Sequence, residues 1–136
     1  MYEEIEMLAK RARAASVRLA QTSDDERNGA LRAMAQALRE SAPAVLKANA
    51  ADVAAAREKG TKESLIDRLL LTDARIEDMA VALESLAELP NPLGRTLEQR
   101  TLESGIRLER VSAPLGVVAV VYEARPNVTA DAAGIC

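Results

Sequence analysis

The chain has 136 residues, enough for one domain with a core of its own. Its 49% hydrophobic and 29% charged residues are those of a soluble globular protein, and a net charge of −3 argues against nucleic acid as a partner. With no histidine and a single cysteine, Ser-His-Asp triads, Cys-His pairs, histidine-ligated metals and internal disulfides are excluded, so no metal site is expected.

The apolar content is dominated by alanine, with no Phe or Trp and only Tyr2 and Tyr122 as aromatics. Small side chains permit close helix packing but bury little area each, so a thinly cored helical region is expected. Residues 10–18 carry Lys10, Arg11, Arg13 and Arg18, balanced by Glu3, Glu4 and Glu6 as on a solvated helix face. No apolar run reaches the roughly 18 residues of a membrane span. The start also lacks a signal-peptide apolar region, so a cytoplasmic location is expected.

From Met1 to about Gln21, Ile5, Leu8, Ala12, Ala15 and Leu19 recur at three- and four-residue steps, a spacing that puts them on one face of a helix. Thr22 or Ser23 is placed to cap the next helix, whose buried face is predicted at Leu31, Met34, Ala35 and Leu38. Pro43 is expected to break this helix or restart it as a first-turn proline. A third helix then runs to about Lys59, with Gly60 as its C′ residue. Leu65, Ile66, Leu69 and Leu70 mark a short fourth helix. Thr72 caps a fifth, with Ile76, Met79, Ala80, Leu83 and Leu86 on its inner face.

Leu89-Pro-Asn-Pro-Leu-Gly94 closes the helical part. Thr96–Glu103 and Ile106–Val111 alternate apolar and polar residues about Ser104-Gly105, which predicts a hairpin with one wet face, projecting as an arm. Gly116–Tyr122 does not alternate; a continuous β-branched run of this kind predicts a strand covered on both faces, as in a parallel sheet. A helix follows from Pro126 or Asn127. The resulting organisation is a helical region over residues 1–94, a hairpin arm over 95–113, and the start of a nucleotide-binding domain over 114–136.

In open α/β sheets, ligands bind at the carboxyl ends of the strands. That end here is Tyr122-Glu-Ala-Arg-Pro-Asn127, followed by a helix start whose unpaired N–H groups suit anions or developing oxyanions. Asn127 can donate to a negative oxygen, or simply cap the helix; Arg125 can face a carboxylate or phosphate, or simply be a surface charge. No GxGxxG or GxxxxGK[ST] loop is present, so residue patterns do not establish dinucleotide or triphosphate binding. Cys136, as the final residue, is not expected to be a nucleophile.

The segment Pro114-Leu-Gly-Val-Val-Ala-Val-Val-Tyr-Glu-Ala-Arg-Pro-Asn-Val-Thr-Ala-Asp-Ala-Ala133 resembles the γ-glutamyl phosphate reductases, also called glutamate-5-semialdehyde dehydrogenases, of the aldehyde dehydrogenase superfamily. Leu46–Arg57 and Ile66–Thr72 are similar to the family's amino-terminal helices. The resemblance implies an α/β, aldehyde dehydrogenase-like fold. Of it, this mostly helical chain holds the hairpin oligomerisation arm and the first strand and helix of a Rossmann-like cofactor domain.

The implied reaction is NADPH-dependent reduction of L-glutamyl 5-phosphate to glutamate 5-semialdehyde with release of phosphate, in proline biosynthesis. A cysteine thiolate displaces phosphate to give a thioester, which hydride reduces. Asn127 then matches the oxyanion-hole asparagine, and Tyr122, Glu123, Ala124, Arg125 and Pro126 match the loop beside the nicotinamide. Arg125 is further expected to contact an anionic group of the substrate. The chain ends before the family's nucleophilic cysteine, so it is expected to be inactive alone and to form a homo-oligomer only as part of a complete enzyme. The other reading is a non-catalytic helical interaction module. Against it stands the apolar segment 116–122, which a finished module would pair within the chain.

Overall fold

The computed structural model describes residues 2–123 and 125–136. In chain order they form α1 (Tyr2–Leu19), α2 (Asp24–Glu58), α3 (Glu63–Leu69), α4 (Asp73–Ala87), β1 (Thr96–Thr101), β2 (Arg107–Val111) and α5 (Pro126–Ile135). They fall into two compact units: Met1–Asp24 with Pro90–Ala119, and Asp25–Leu89 with Val120–Cys136. None of the described helices is long and apolar enough to cross a membrane.

The second unit is built on α2 and α4. Ala35 of α2 and Ala80 and Leu83 of α4 form a fully buried centre, with Leu31, Met34, Leu38 and Leu86 half-buried around it. Two alanines at the contact let the helix backbones approach closely, which is what the alanine-rich composition foreshadows. The predicted α2 face matches this packing. On α4, Ile76, Met79, Ala80 and Leu83 are buried as predicted, but Ala87 takes the fifth buried place and Leu86 is only partly covered.

Helix α2 runs unbroken for 35 residues through Pro43, contrary to the break expected there. Proline removes the bond to the carbonyl of Arg39 and costs roughly 3 kcal/mol in a helix interior. Pro43 is exposed, and the helix is anchored on both sides of it. Ala35 is buried before it; Asn49 and Val53 are buried after it. Packing thus overrides the local signal. The predicted glycine terminus is present: Gly60 has φ 70°, and the N–H of Thr61 reaches back to the carbonyl of Ala56 at 3.1 Å.

Side chains close the remaining joints. Thr72 accepts from the Arg75 N–H at 3.2 Å, the predicted cap of α4. Asn49 of α2 is 5% exposed; its Nδ2 donates to the Leu69 carbonyl at 2.8 Å and its Oδ1 accepts from the Leu71 N–H at 2.7 Å. The α3–α4 connection is therefore held to α2 as though by a peptide group. Helix α5 lies against α4 at Gly134, where an added Cβ would collide with Leu83 and crowd Leu86.

Arg39 spans α2 to α4, donating to both oxygens of Glu77 (2.7–3.2 Å) and both of Glu84 (2.6 and 3.0 Å). These hydrogen bonds hold both carboxyls below the ordinary glutamate value of 4.5 and raise the guanidinium further above its own. A depressed carboxyl stabilises the fold above the unfolded value, and that stability is lost as pH falls through the folded value. Arg39→Met should lower stability at pH 7, and the gap from the unaltered chain should shrink from pH 4.5 downward. Urea titrations at pH 7, 4.5 and 3 measure this; a gap that stays constant with pH would count against it.

In the first unit, α1 forms as predicted but buries none of its residues, so the face of Ile5, Leu8 and Leu19 is exposed. No described residue covers it. The helix rests instead on good helix formers and on pairs such as Lys10 with Glu6 at 2.6 Å. The hairpin forms as predicted, antiparallel from Thr96↔Val111 to Thr101↔Arg107, with an irregularity between Thr96 and Glu98. Gly105 at φ 85° makes its turn. Ser112 ties its base to the preceding loop, donating to the Pro92 carbonyl at 2.6 Å and accepting from the Arg95 N–H at 3.0 Å. Both faces of the ribbon are exposed, rather than one.

The strand expected over Gly116–Tyr122 does not form. Among the described residues this segment joins no ladder, and Val117, Val118, Val120 and Val121 are exposed. A strand exists only with a neighbour to take its N–H and C=O groups, and β1 and β2 pair with each other alone. The helix predicted after it does form, with Pro126 at its first position.

Candidate functional site

The predicted site lies where the chain enters α5. Arg125 is the N-cap residue, with φ −138° and ψ 86°, and makes no side-chain cap. Asn127 makes no cap either. Its Nδ2 donates to Asp131 Oδ2 at 2.8 Å, one turn along the helix. Because a carboxylate only accepts, this bond fixes the amino end of the carboxamide toward Asp131, leaving one amide N–H available to a ligand. Tyr122 curls back onto the same helix through a 2.6 Å hydrogen bond between its hydroxyl and Thr129 Oγ1. Glu123 is exposed, and Ala124 lies outside the described residues.

The structure brings Arg125, Pro126 and Asn127 to the rim of a cleft of about 450 Å³ shared with α3 and α4. Buried Leu71 and Met79 give it an apolar lining. Its charged lining is balanced, with Asp67, Asp78 and Asp131 against Arg68, Arg75 and Arg125. Some of this charge is already used. Arg75 donates to the carbonyl of Leu70 at 2.7 Å, to the carbonyl of Asp67 and to Asp67 Oδ1 at 3.0 Å, which closes the end of α3. Asp131 is used by Asn127.

Sequence reasoning did not assign roles to Asp131 or Thr129, nor to the α3 and α4 residues of the cleft. The i,i+4 spacing of Asn127 and Asp131 carried the first of these signals. Nothing local carried the last, because Arg68 and Asp78 meet Asn127 only through the packing of α5 on α4. Cys136 is exposed, and its N–H bonds to the Ala132 carbonyl as a helix end.

No family model matches the chain. Individual proteins do. It is 49% identical over 133 residues to the γ-glutamyl phosphate reductase of Moorella thermoacetica, covering 98% of this chain and 32% of that protein. The chain is thus similar to γ-glutamyl phosphate reductases. The Thermobifida fusca reductase is 47% identical over the same length and in the same proportions. Among solved structures, the reductase of Thermotoga maritima superposes with a TM-score of 0.88 at 40% identity, over 93% of this chain and 30% of that one. That of Saccharomyces cerevisiae gives 0.89 at 36% identity, over 95% and 33%. The chain thus spans about a third of the length of the reductases it matches.

Proposed function

We propose that this chain is the amino-terminal part of a γ-glutamyl phosphate reductase of the aldehyde dehydrogenase superfamily, acting in cytoplasmic proline biosynthesis. The reaction is reduction of L-glutamyl 5-phosphate to L-glutamate 5-semialdehyde with release of phosphate. The observation that carries this reading is 49% identity running through 98% of the chain. In it, the exposed segment 116–122 becomes the first strand of a Rossmann-like domain once neighbouring strands are supplied. The hairpin, open on both faces, serves as an arm between subunits of a homo-oligomer.

Asn127 donates its free amide N–H to the acyl oxygen as negative charge develops there, with Asp131 holding the carboxamide. NADPH supplies the hydride when bound. The described residues suit its nicotinamide end: a phenol ring at Tyr122, the exposed Glu123 and Arg125, and Pro126 at the helix start. They offer no glycine-rich cradle for its phosphates. Tyr122 positions this loop through Thr129. Arg125, at the cleft rim, faces a substrate anion. The alternative of a non-catalytic helical module is disfavoured, because the likeness to reductases extends over 98% of the chain.

Joined to the remaining portion, about two thirds, of the Thermotoga maritima reductase, the chain is expected to support NADPH oxidation that depends on L-glutamyl 5-phosphate. The 136-residue chain alone is expected to show none. A folded but inactive chimera would overturn the reading, as would turnover by the chain alone.

A further inference from the structure

Three charged groups on the cleft lining, Arg68 of α3, Asp78 of α4 and Arg125 at the start of α5, make no hydrogen bond or ion pair with another described residue. Elsewhere in this unit, Arg39 of α2 is paired with Glu77 and Glu84 of α4, and Arg32 of α2 with Glu88 just past the end of α4 at 2.8 Å. The unpaired set is two cations and one anion around an apolar lining of Leu71 and Met79. Its complement is a ligand with two anionic ends, one ammonium and a short apolar linker.

We infer that this cleft is the subsite for the amino-acid head of the substrate. Asp78 receives the α-ammonium, Arg68 the α-carboxylate, and Arg125, beside Asn127, the phosphate. The assignment rests on the reductase reading for the identity of the ligand, but the recognition it describes is of an L-α-amino acid with a second anionic group on its side chain. The order of the groups follows from the fold. Arg125 and Asn127 flank the start of α5, so the reacting acyl end lies there, and α3 and α4 are left to hold the far end. Leu71 and Met79 then accompany the methylenes between. Arg75 and Asp67 take no part, since they hold each other and the end of α3. The arrangement selects for the amino acid over a plain diacid, because without an ammonium Asp78 would face a carboxylate ligand unpaired.

The test uses the purified chain, titrated with L-glutamate and with glutarate, which lacks the ammonium, and followed by backbone amide NMR. L-Glutamate should shift resonances around Arg68, Asp78 and Arg125 saturably, with glutarate about tenfold weaker, the loss expected for one charge-assisted hydrogen bond. Asp78→Asn and Arg68→Met should each weaken L-glutamate by about the same factor. Both side chains are exposed and unpaired, so the fold should persist, which circular dichroism verifies. Equal binding of glutarate and L-glutamate, or no saturable shift at these residues, overturns the inference. In the chimera, the same variants should raise KM for L-glutamyl 5-phosphate far more than they lower kcat; an active chimera with KM unmoved in both also overturns it. A chain that binds L-glutamate in the cleft while the chimera stays inactive refutes the reductase reading and leaves this subsite standing.

Discussion

Asn49→Leu should destabilise the chain by about 3 kcal/mol, lowering its urea midpoint by more than about 1 M. The side chain is 5% exposed and serves as both donor and acceptor for the α3–α4 connection. Leucine matches its size but satisfies neither the Leu69 carbonyl nor the Leu71 N–H, and a buried group left unpaired costs about 1–3 kcal/mol. The Leu71 N–H carries the larger share, because that bond is buried whereas the one to Leu69 is partly exposed. Asn49→Asp should fall between the two, since it keeps an acceptor for Leu71 but loses the donor to Leu69. Against a total stability of about 5–15 kcal/mol for a domain, either change is large. A leucine variant with an unshifted midpoint would remove Asn49 as the tie between α2 and the α3–α4 connection.

Asn127→Ala in the reductase chimera should lower kcat about 10²- to 10³-fold, the usual loss of one oxyanion donor, with melting of the chain unchanged. The two halves of this expectation have separate physical grounds. The residue is exposed in the first turn of α5, where alanine is the better helix former, so no stability is lost. Its amide bond to Asp131 is also exposed and adds little to the fold. What alanine removes is an N–H held in one orientation at the rim of the cleft. Asp131→Asn keeps an acceptor for that amide and should retain most of the rate, whereas Asp131→Ala should lose more. A full rate with alanine at 127 would exclude the oxyanion role.

The elements that reading the chain anticipated are those whose causes lie within a few residues. Thr72 caps α4 and Gly60 ends α2 because a hydroxyl and a left-handed backbone act on their own turn. Gly105 turns the hairpin for the same reason. The inner faces of α2 and α4 followed from 3.6-residue spacing, because each helix has the other to bury against. Of the segment that the sequence singled out by its polar residues after an apolar run, Arg125, Pro126 and Asn127 line one cleft.

The failures share one cause, which is dependence on a partner far along the chain. Pro43 does not break α2 because Ala35 on one side and Asn49 and Val53 on the other are already buried. Gly116–Val121 has strand composition but no neighbour to bond, so composition produced no strand. The cleft is the same lesson in reverse. Arg68 and Asp78 carry no motif, and they join Arg125 only because Gly134 lets α5 settle on α4. Local backbone chemistry is written residue by residue and can be read that way. Burial, ladder pairing and shared clefts are properties of two surfaces at once, so only the folded arrangement decides them.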